Sequence, residues 1–528
     1  MNFIPEQDES EDLDQGGAVY PCKSCTHLEA SLHCSRLRDI ISALPLNLGT
    51  PCSACDSTAE NWICLSCGDI KCSRYVAGHA EQHWLEAMDQ KDSHCIALSL
   101  SDLNVWCYAC GSYIKHDSLV PILVLCESIK FSTEPKTKLL PPATSGRAAI
   151  VLPSNDMDEH LSETPCDERP LRTDAIMNQL NSSSSSVLCS LVSISAVLSE
   201  ESYETALAAL HAVHSKAYIQ SIRTASASAA TVARRADAFF TESSFTAALQ
   251  AAGAGLSILD RIFAPVPASV DHLSIERGFV LVRPPGHHAG PTSGAGYCIF
   301  NNAAVSAQYC LQKYPEVRRV LIVDLDIHHG NGTQECFYSR QDVCTLSIHR
   351  QTYVLDGEEV EFPEVGRANY IGVGPGLGFN INVPLGEVGS DDDYYYIFNE
   401  VVLPVAERYR PDLIIVATGF DASIYDFAKP QGGYRLSTSC YEMLITSLLK
   451  RVNRGRVLCT LEGGYDPYGL GINVEAVLQV LTTYDPDANS GDIALPVRTD
   501  KVDEKTLSVV QEVKEEFRKQ NCNIWFGA

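Results

Sequence analysis

The sequence predicts an α/β fold, a mainly parallel sheet with helices on both faces, preceded by a small cysteine-rich α+β domain. Three observations predict it. From residue 148 onward, short apolar runs alternate with segments of helical spacing, the pattern of strands joined by crossover helices. Polar clusters follow the C-terminal ends of four of those runs, the edge at which open α/β sheets bind ligands. Eleven of the 21 cysteines lie between Cys22 and Cys110.

A chain of 528 residues has room for two or three domains, and 45% hydrophobic with 20% charged residues is a globular composition. The formal charge of -26 argues against DNA or anionic lipid as a partner held by bulk electrostatics. It leaves room for a basic substrate such as a lysine-rich tail. Residues 1–20 carry six acidic and no basic side chains, unlike the basic start of a secretory signal. Apolar runs such as Leu119–Cys126 are too short for a bilayer span. The expectation is a cytoplasmic or nuclear protein whose clustered cysteines bind metal rather than form disulfides.

Residues 1–20 read as an acidic disordered tail, and 21–116 as the cysteine-rich domain. That domain holds Cys25-x-His27, Cys52-x2-Cys55, Cys64-x2-Cys67, Cys72 with His79, His83 with His94, and Cys107-x2-Cys110. These twelve candidate ligands would fill three closed tetrahedral sites, the structural kind. Metal binding would then supply stability that so few apolar residues cannot.

The stretch resembles the ubiquitin-specific-protease-type zinc finger, in the version fused to some class II histone deacetylases. Carrying the resemblance are Cys-Thr-His-Leu (25–28), Glu-Asn-Trp-Ile-Cys-Leu-Ser-Cys (60–67), Cys-Ser-Arg-Tyr-Val-Ala-Gly-His (72–79) and Trp-Cys-Tyr-Ala-Cys (106–110). It implies three structural zincs: one on Cys25, His27, Cys107 and Cys110, a second on Cys52, Cys55, Cys72 and His79, a third on Cys64, Cys67, His83 and His94. The His83–His94 segment is longer than usual. The resemblance also implies binding of the free C-terminal Gly-Gly tail of ubiquitin by Arg74, Trp106, Tyr108 and Tyr113. An arginine fork suits a carboxylate, and aromatic walls make a slot that only glycine can enter.

Residues 117–145, with Pro121, Pro135 and Pro141-Pro142, read as a linker, and 146–485 as the second domain. Its predicted strands are Ala148–Leu152, Phe279–Val282, Val320–Val323, Val343–Ser347, Leu413–Ala417 and Val457–Leu461. The helical segments are Thr173–Leu180, Tyr203–Arg223, Phe245–Ala264, Ala303–Tyr314, Asp392–Tyr409 and Ser439–Val452. Residues 486–528 are expected to form a tail with a short surface helix over Asp500–Phe517.

The densest cluster is Asp324-Leu325-Asp326-Ile327-His328-His329-Gly330-Asn331-Gly332. Alternate side chains of an extended segment share a face, so Asp326 and His328 can reach one ion. Asp421 after the Leu413 run would make a third ligand, and three leave a position open for water and substrate. The mixed N/O set suits zinc or iron(II). His287-His288 would supply a base, and Asp324 and Asn331 would orient the two imidazoles. Tyr465, on Gly463-Gly464, could turn its hydroxyl toward a developing oxyanion. Together these permit metal-assisted hydrolysis of an amide.

Residues 147–485 resemble the class II zinc-dependent histone deacetylases. The motifs, in order, are Arg283-Pro284-Pro285-Gly286-His287-His288-Ala289, Tyr297-Cys298-Ile299-Phe300-Asn301-Asn302, Asp324–Thr333, Ser347-Ile348-His349-Arg350, Gly419-Phe420-Asp421-Ala422 and Leu461-Glu462-Gly463-Gly464-Tyr465-Asp466. The Arg-Pro-Pro before Gly-His-His, and Asn331 in place of the aspartate of class I, point to class II.

This resemblance implies an arginase/deacetylase-like fold and one catalytic zinc on Asp326, His328 and Asp421. His287 and His288 are the tandem histidines, with His288 the general base and acid. Asp324 lies behind His287, and Tyr465 polarises the acetyl carbonyl. Gly296, Tyr297 and Phe362 bound the acyl-lysine tunnel, and Ser347 belongs to a potassium site. The expected substrates are acetylated proteins, histones or others, with a role in chromatin and transcription regulation.

Tyr297 replaces the usual phenylalanine, and the segment from Arg350 to Phe362 is longer than usual. Asp426–Gly433 replaces Asp-Pro-Leu-Gly and contains no glutamate, which disfavours acetylpolyamine-type relatives. Rival readings are a deacylase of small acylated amines or of longer acyl-lysines, and a ubiquitin-binding scaffold with a silent deacetylase domain.

Overall fold

The computed structural model describes residues 25, 27, 51–73, 76–89, 94–100, 104–114, 119, 148–162, 166–182, 187, 191–228, 233–235, 238–263, 275–355, 358–361, 364–426, 434–486, 494–522 and 524–526. Arg74, Phe362 and residues 427–433 of the Asp426–Gly433 stretch lie outside them. The chain divides into two compact units, Met1–Leu140 and Pro141–Ala528.

Among the described residues the first unit shows a five-stranded antiparallel sheet and one helix. Its elements are β1 (Asn61–Cys64), β2 (Ile70–Cys72), α1 (His79–Asp89), β3 (Ile96–Ser99), β4 (Val105–Cys107) and β5 (Ser112–Tyr113), in sheet order β2-β1-β3-β4-β5. Ile63, Leu65, Ile96, Leu98 and Val105 form a small core. Strand and helix ends carry the candidate ligands: Cys64, Cys72 and Cys107 close β1, β2 and β4, and His79 opens α1.

The second unit is built on β6 (Ala148–Leu152), α2 (Leu171–Ser182), β7 (Leu191–Ser195), α3 (Glu200–His211), α4 (Lys216–Ala227), α5 (Ser244–Ile262), β8 (Arg277–Val280), α6 (Asn302–Lys313), β9 (Val320–Asp324), α7 (Asn331–Phe337), β10 (Val343–Arg350), β11 (Asn380–Leu385), α8 (Asp391–Ile397), α9 (Leu403–Tyr409), β12 (Leu413–Thr418), α10 (Thr438–Leu449), β13 (Val457–Leu461), α11 (Pro467–Thr483) and α12 (Glu504–Lys519). Among the described residues eight of its strands form one sheet in the order β11-β10-β9-β12-β13-β8-β6-β7, every pairing in it parallel. Two short antiparallel pairs, Ala233–Arg235 with Ala238–Phe240 and Thr352–Leu355 with Glu358–Glu361, lie outside it.

Alternation along each strand divides the core between the two faces. Leu321, Val323, Ile414 and Val416 face α2, α10 and α11, whereas Val320, Ile322 and Ile415 face α3, α5 and α6. A strand buried on both faces reads as an unbroken apolar run, which is why β9, β12 and β13 are legible.

The edge strands are not legible. On β7 only Leu191 is buried, and β11 carries Asn380, Asn382 and Pro384, the proline tolerated because the strand lies at the edge. The predicted helix Tyr203–Arg223 is two, because Ser215 caps a new one by accepting from the Tyr218 N–H. Asp392–Tyr409 is broken by a π turn at Phe398–Val402, just before Pro404, which has no N–H to continue the ladder. The expected C-terminal surface helix does more than cover the surface: α12 buries Val509, Val510, Val513 and Phe517 in the main core against β11. Among the described residues no helix is long and apolar enough to cross a membrane.

Candidate metal centre and active site

The C-terminal ends of β8, β9, β12 and β13 bring four motifs to one edge of the sheet. Asp326 and His328 follow β9, and Asp421 follows β12. His328 Nδ1 lies 3.0 Å from Asp326 Oδ1 and 3.0 Å from Asp421 Oδ2. One donor atom from each of the three falls within 4.8 Å of the others, so the group can hold a metal ion. Backbone amides fix both carboxylates: Gly463 N–H donates to Asp326 Oδ2 at 2.7 Å, and Ile327 N–H to Asp421 Oδ1 at 3.0 Å. A Cβ on Gly463 would lie 2.4 Å from Asp326 Oδ2 and 2.5 Å from Asp421 Oδ2, so only glycine fits there.

Burial, with the Asp326 charge, raises Asp421 above the usual carboxylate range. Two carboxylates buried side by side want a cation between them. The donor set of two carboxylates and one imidazole therefore fits a zinc ion.

Behind this group stand two oriented imidazoles, their ring centroids 4.0 Å apart. His287 Nδ1 lies 3.0 Å from Asp324 Oδ2, and His288 Nδ1 lies 2.6 Å from Asn331 Oδ1. Both partners are acceptors, so each ring donates its Nδ1–H and presents Nε2 to the site. Burial opposes a charge on either ring. At His287 the Asp326 and Asp324 carboxylates outweigh burial and lift the imidazole to about 10; a cation on Asp326 would withdraw part of that effect. His288 is held well below the ordinary histidine value by burial, with His287 and His328 adding to it.

Tyr465 follows Gly463-Gly464, and its ring stands 6.1 Å from that of Tyr297 in an edge-to-face contact. Tyr297 has a φ of 67°, unusual for a non-glycine residue, directly after Gly296 at 51°. A Cβ on Gly296 would lie 2.4 Å from His288 Cδ2, so this backbone lies against the histidine. Gly296, Tyr297, His288 and Tyr465 thus border one space.

The residues that hold these groups escaped the sequence reading. Glu462 Oε2 accepts from Gly286 N–H at 2.6 Å and His287 N–H at 3.1 Å, anchoring the histidine turn. His287, Cys298 and Glu462 form a further buried donor group, but these amides already occupy the carboxylate. Arg172 Nε donates to Gly464 O at 2.7 Å, and its Nη2 donates to Glu462 O. Arg283 makes a two-bond pair with Glu168, at 2.8 and 2.7 Å. Arg283 stands in a quoted motif and Arg172 in none, and nothing local marks either as buried. Ser347 Oγ, beside Asp324 across the β9–β10 register, pairs with His349 Nδ1 at 2.9 Å.

In the first unit the twelve candidate ligands form three groups. They are Cys25, His27, Cys107 and Cys110; Cys52, Cys55, Cys72 and His79; and Cys64, Cys67, His83 and His94. His94 joins its group despite the longer preceding segment, its Nδ1 3.0 Å from His83 Nε2. Trp106 and Tyr113 are register partners across β4–β5, their rings 4.9 Å apart, and Tyr108 stacks on Trp84 at 5.5 Å. Trp106, Tyr108 and Tyr113 are all partly buried against Trp62, Ala80 and Ala97.

Comparison with known proteins gives two family matches: the histone deacetylase domain over residues 166–481, and the zinc finger found in ubiquitin-hydrolases and other proteins over residues 52–119. Histone deacetylase 18 of Arabidopsis thaliana is 38% identical over 254 residues, which span 48% of this chain and 35% of that protein. Histone deacetylase HDA1 of Candida albicans is 42% identical over 215 residues, 40% of this chain and 25% of that protein. The chain thus spans about a third or less of the length of these relatives. The crystal structure of the HDA15 HD domain superposes with a TM-score of 0.57 at 30% identity, covering 71% of this chain and 95% of that one. Because the deacetylase match takes in more than half of its residues, the chain belongs to the histone deacetylase family.

Proposed function

We propose that the second unit is a zinc-dependent protein-lysine deacetylase acting on acetylated histones or other proteins, and that residues 146–485 hold its catalytic domain. The observation that carries this is the meeting of Asp326, His328 and Asp421 with two oriented histidines and Tyr465 at one sheet edge. Asp326, His328 and Asp421 would hold the zinc ion, which would supply Lewis acidity toward the acetyl carbonyl and water. His288, kept neutral by burial, takes the proton of the attacking water at Nε2. Tyr465 donates its hydroxyl to the oxygen that becomes negative. A protonated histidine of the pair then returns a proton to the leaving lysine amine. Tyr297 and Phe362 flank the four-methylene stem of the substrate, and Ser347 with nearby carbonyls takes potassium.

The first unit, in this reading, carries three structural zincs and binds the C-terminal tail of ubiquitin through Arg74, Trp106, Tyr108 and Tyr113. The partly buried aromatic group of Trp106, Tyr108 and Tyr113 supports it. The protein works in the cytoplasm or nucleus, where both partners occur.

Deacetylation is tested by offering the purified chain an acetyl-lysine peptide, a longer acyl-lysine peptide and an N-acetylated polyamine, beside Tyr465→Phe. Turnover of the acetyl peptide that collapses in the variant is expected. Zinc-loaded protein inert toward all three would sink the enzyme reading in favour of a scaffold. Titration with ubiquitin, and with ubiquitin lacking its last two glycines, tests the first unit: heat with both or neither contradicts tail recognition.

A further inference from the structure

At the N-terminal edge of the same sheet, opposite the active site, a cleft of about 470 Å³ opens between loops. It is lined by Arg318 and Arg319 before β9, by Gln341 and Asp342 before β10, by Phe379 before β11, and by Arg408 and Tyr409 at the end of α9. Ile524 and Trp525 complete it. Five residues of β9 separate this edge from the metal group, roughly 17 Å at strand rise.

The floor is rigid. Trp525 Nε1 donates to Gly378 O at 2.6 Å, and the Tyr409 hydroxyl donates to Gln341 O at 3.1 Å. The rings of Phe379, Tyr409 and Trp525 pack on one another at 5.5 to 5.9 Å. The walls are cationic. Arg318, Arg319 and Arg408 are exposed, and among the described residues none of the three side chains pairs with a carboxylate. The nearby carboxylates are already engaged: Asp342 by Arg340 at 2.7 Å, and Asp412 by the backbone N–H groups of Arg318 and Arg319 at 2.8 and 2.9 Å.

In a chain of formal charge -26, Arg318 and Arg319 before β9 and Arg408 in α9 set three guanidiniums, none paired with a carboxylate among the described residues, around one cleft, a local positive field that attracts an anion. Guanidinium forks match phosphate oxygens two at a time. The volume is that of a small-molecule site.

We propose that this cleft binds a small organic polyphosphate of nucleotide size, its phosphates held by Arg318, Arg319 and Arg408 and its apolar part resting on Phe379 and Ile524. The test uses the full chain at constant ionic strength, titrated calorimetrically with pyrophosphate, with a nucleoside diphosphate and with an aspartate-rich peptide. Saturable binding of pyrophosphate is expected, tighter for the nucleoside diphosphate. It should weaken at least tenfold in the double variant Arg318→Gln, Arg408→Gln. The variant should keep wild-type turnover of an acetyl-lysine peptide, which shows that it is folded. A change in Trp525 fluorescence, absent in Trp525→Phe, would place the ligand on this floor. No saturable binding, equal binding in the double variant, or binding of the acidic peptide alone would each overturn the proposal.

Discussion

The carboxylate of Asp426 accepts the backbone N–H of Tyr465 at 2.9 Å and that of Asp466 at 3.1 Å. From the other side Arg172 holds the carbonyl of Gly464 and lies over the Tyr465 ring, its Cζ 4.9 Å from the centroid. The turn that carries Tyr465 is thus clamped at the amides of Tyr465 and Asp466 on one side and at the Gly464 carbonyl on the other.

The clamp predicts that Asp426→Asn lowers kcat about tenfold, the worth of a charge-assisted hydrogen bond, with KM little changed. Burial pushes Asp426 up to about 7, the charges of Asp421 and Asp466 adding to it while the two amides pull the other way; Tyr441 also faces it. The ionised carboxylate grips the amides best, so kcat should gain a limb rising through about pH 7 that Asp426→Asn lacks. The linkage has the opposite sign for stability. A carboxyl raised in the folded state contributes stability below its ordinary value near 3.8, and this is lost as pH rises through about 7. Paired pH–rate and pH–stability profiles check both; identical profiles in variant and wild type would refute the clamp.

Gly296→Ala should abolish most activity while leaving the fold intact. The new Cβ would sit 2.4 Å from His288 Cδ2, on a backbone at φ 51°, and must push the ring off Asn331. A displacement of about 1 Å at a catalytic group costs roughly a hundredfold in rate. Turnover within threefold of wild type, at unchanged zinc content, would show that His288 does not need this position.

Arg283 and Glu168 form a fully buried ion pair, and Glu168 also faces Arg172 at 3.5 Å and His160 at 4.0 Å. Arg283→Ala should cost about 3–5 kcal/mol, because it strands a buried carboxylate. Adding Glu168→Gln should recover much of that loss. Urea unfolding of the single and double variants measures it; an additive double variant would mean that the two side chains do not depend on each other.

How much of this was legible follows from what each residue does. Asp326 and His328 announce themselves because a strand end with alternating ligands is a local pattern, and β9, β12 and β13 are legible because burial on both faces leaves only apolar residues. Asp426, Glu462 and Arg172 hold backbone atoms 39 to 292 residues away, and that pairing leaves no local trace. The Arg172–Gly464 bond spans 292 residues. The edge strands β7 and β11 failed for the converse reason: their outer faces are polar or proline-bearing, so tertiary pairing rather than pattern makes them strands. In the first unit, ligand spacing alone suggested three groups, but their membership came from resemblance and matches the geometric grouping.

Metal removal should separate the two units. The Cys/His groups are closed sets of four, and binding of structural zinc by such sets supplies about 10–16 kcal/mol of folding free energy. The Asp326, His328 and Asp421 group instead sits beside an extensive apolar core, large enough to be expected to hold the second unit without the metal. On the proposed count of three structural zincs and one catalytic zinc, Asp421→Ala should therefore lose one zinc and all turnover, yet keep the circular dichroism and melting transition of both units. Cys64→Ser should lose a different zinc, expose Trp84 and Trp106 to quencher, and leave peptide deacetylation within about twofold. Metal analysis with fluorescence quenching on both variants checks this. If Cys64→Ser abolished deacetylation while the second unit remained folded, the first unit would be part of the catalytic machinery rather than a separately folded zinc module.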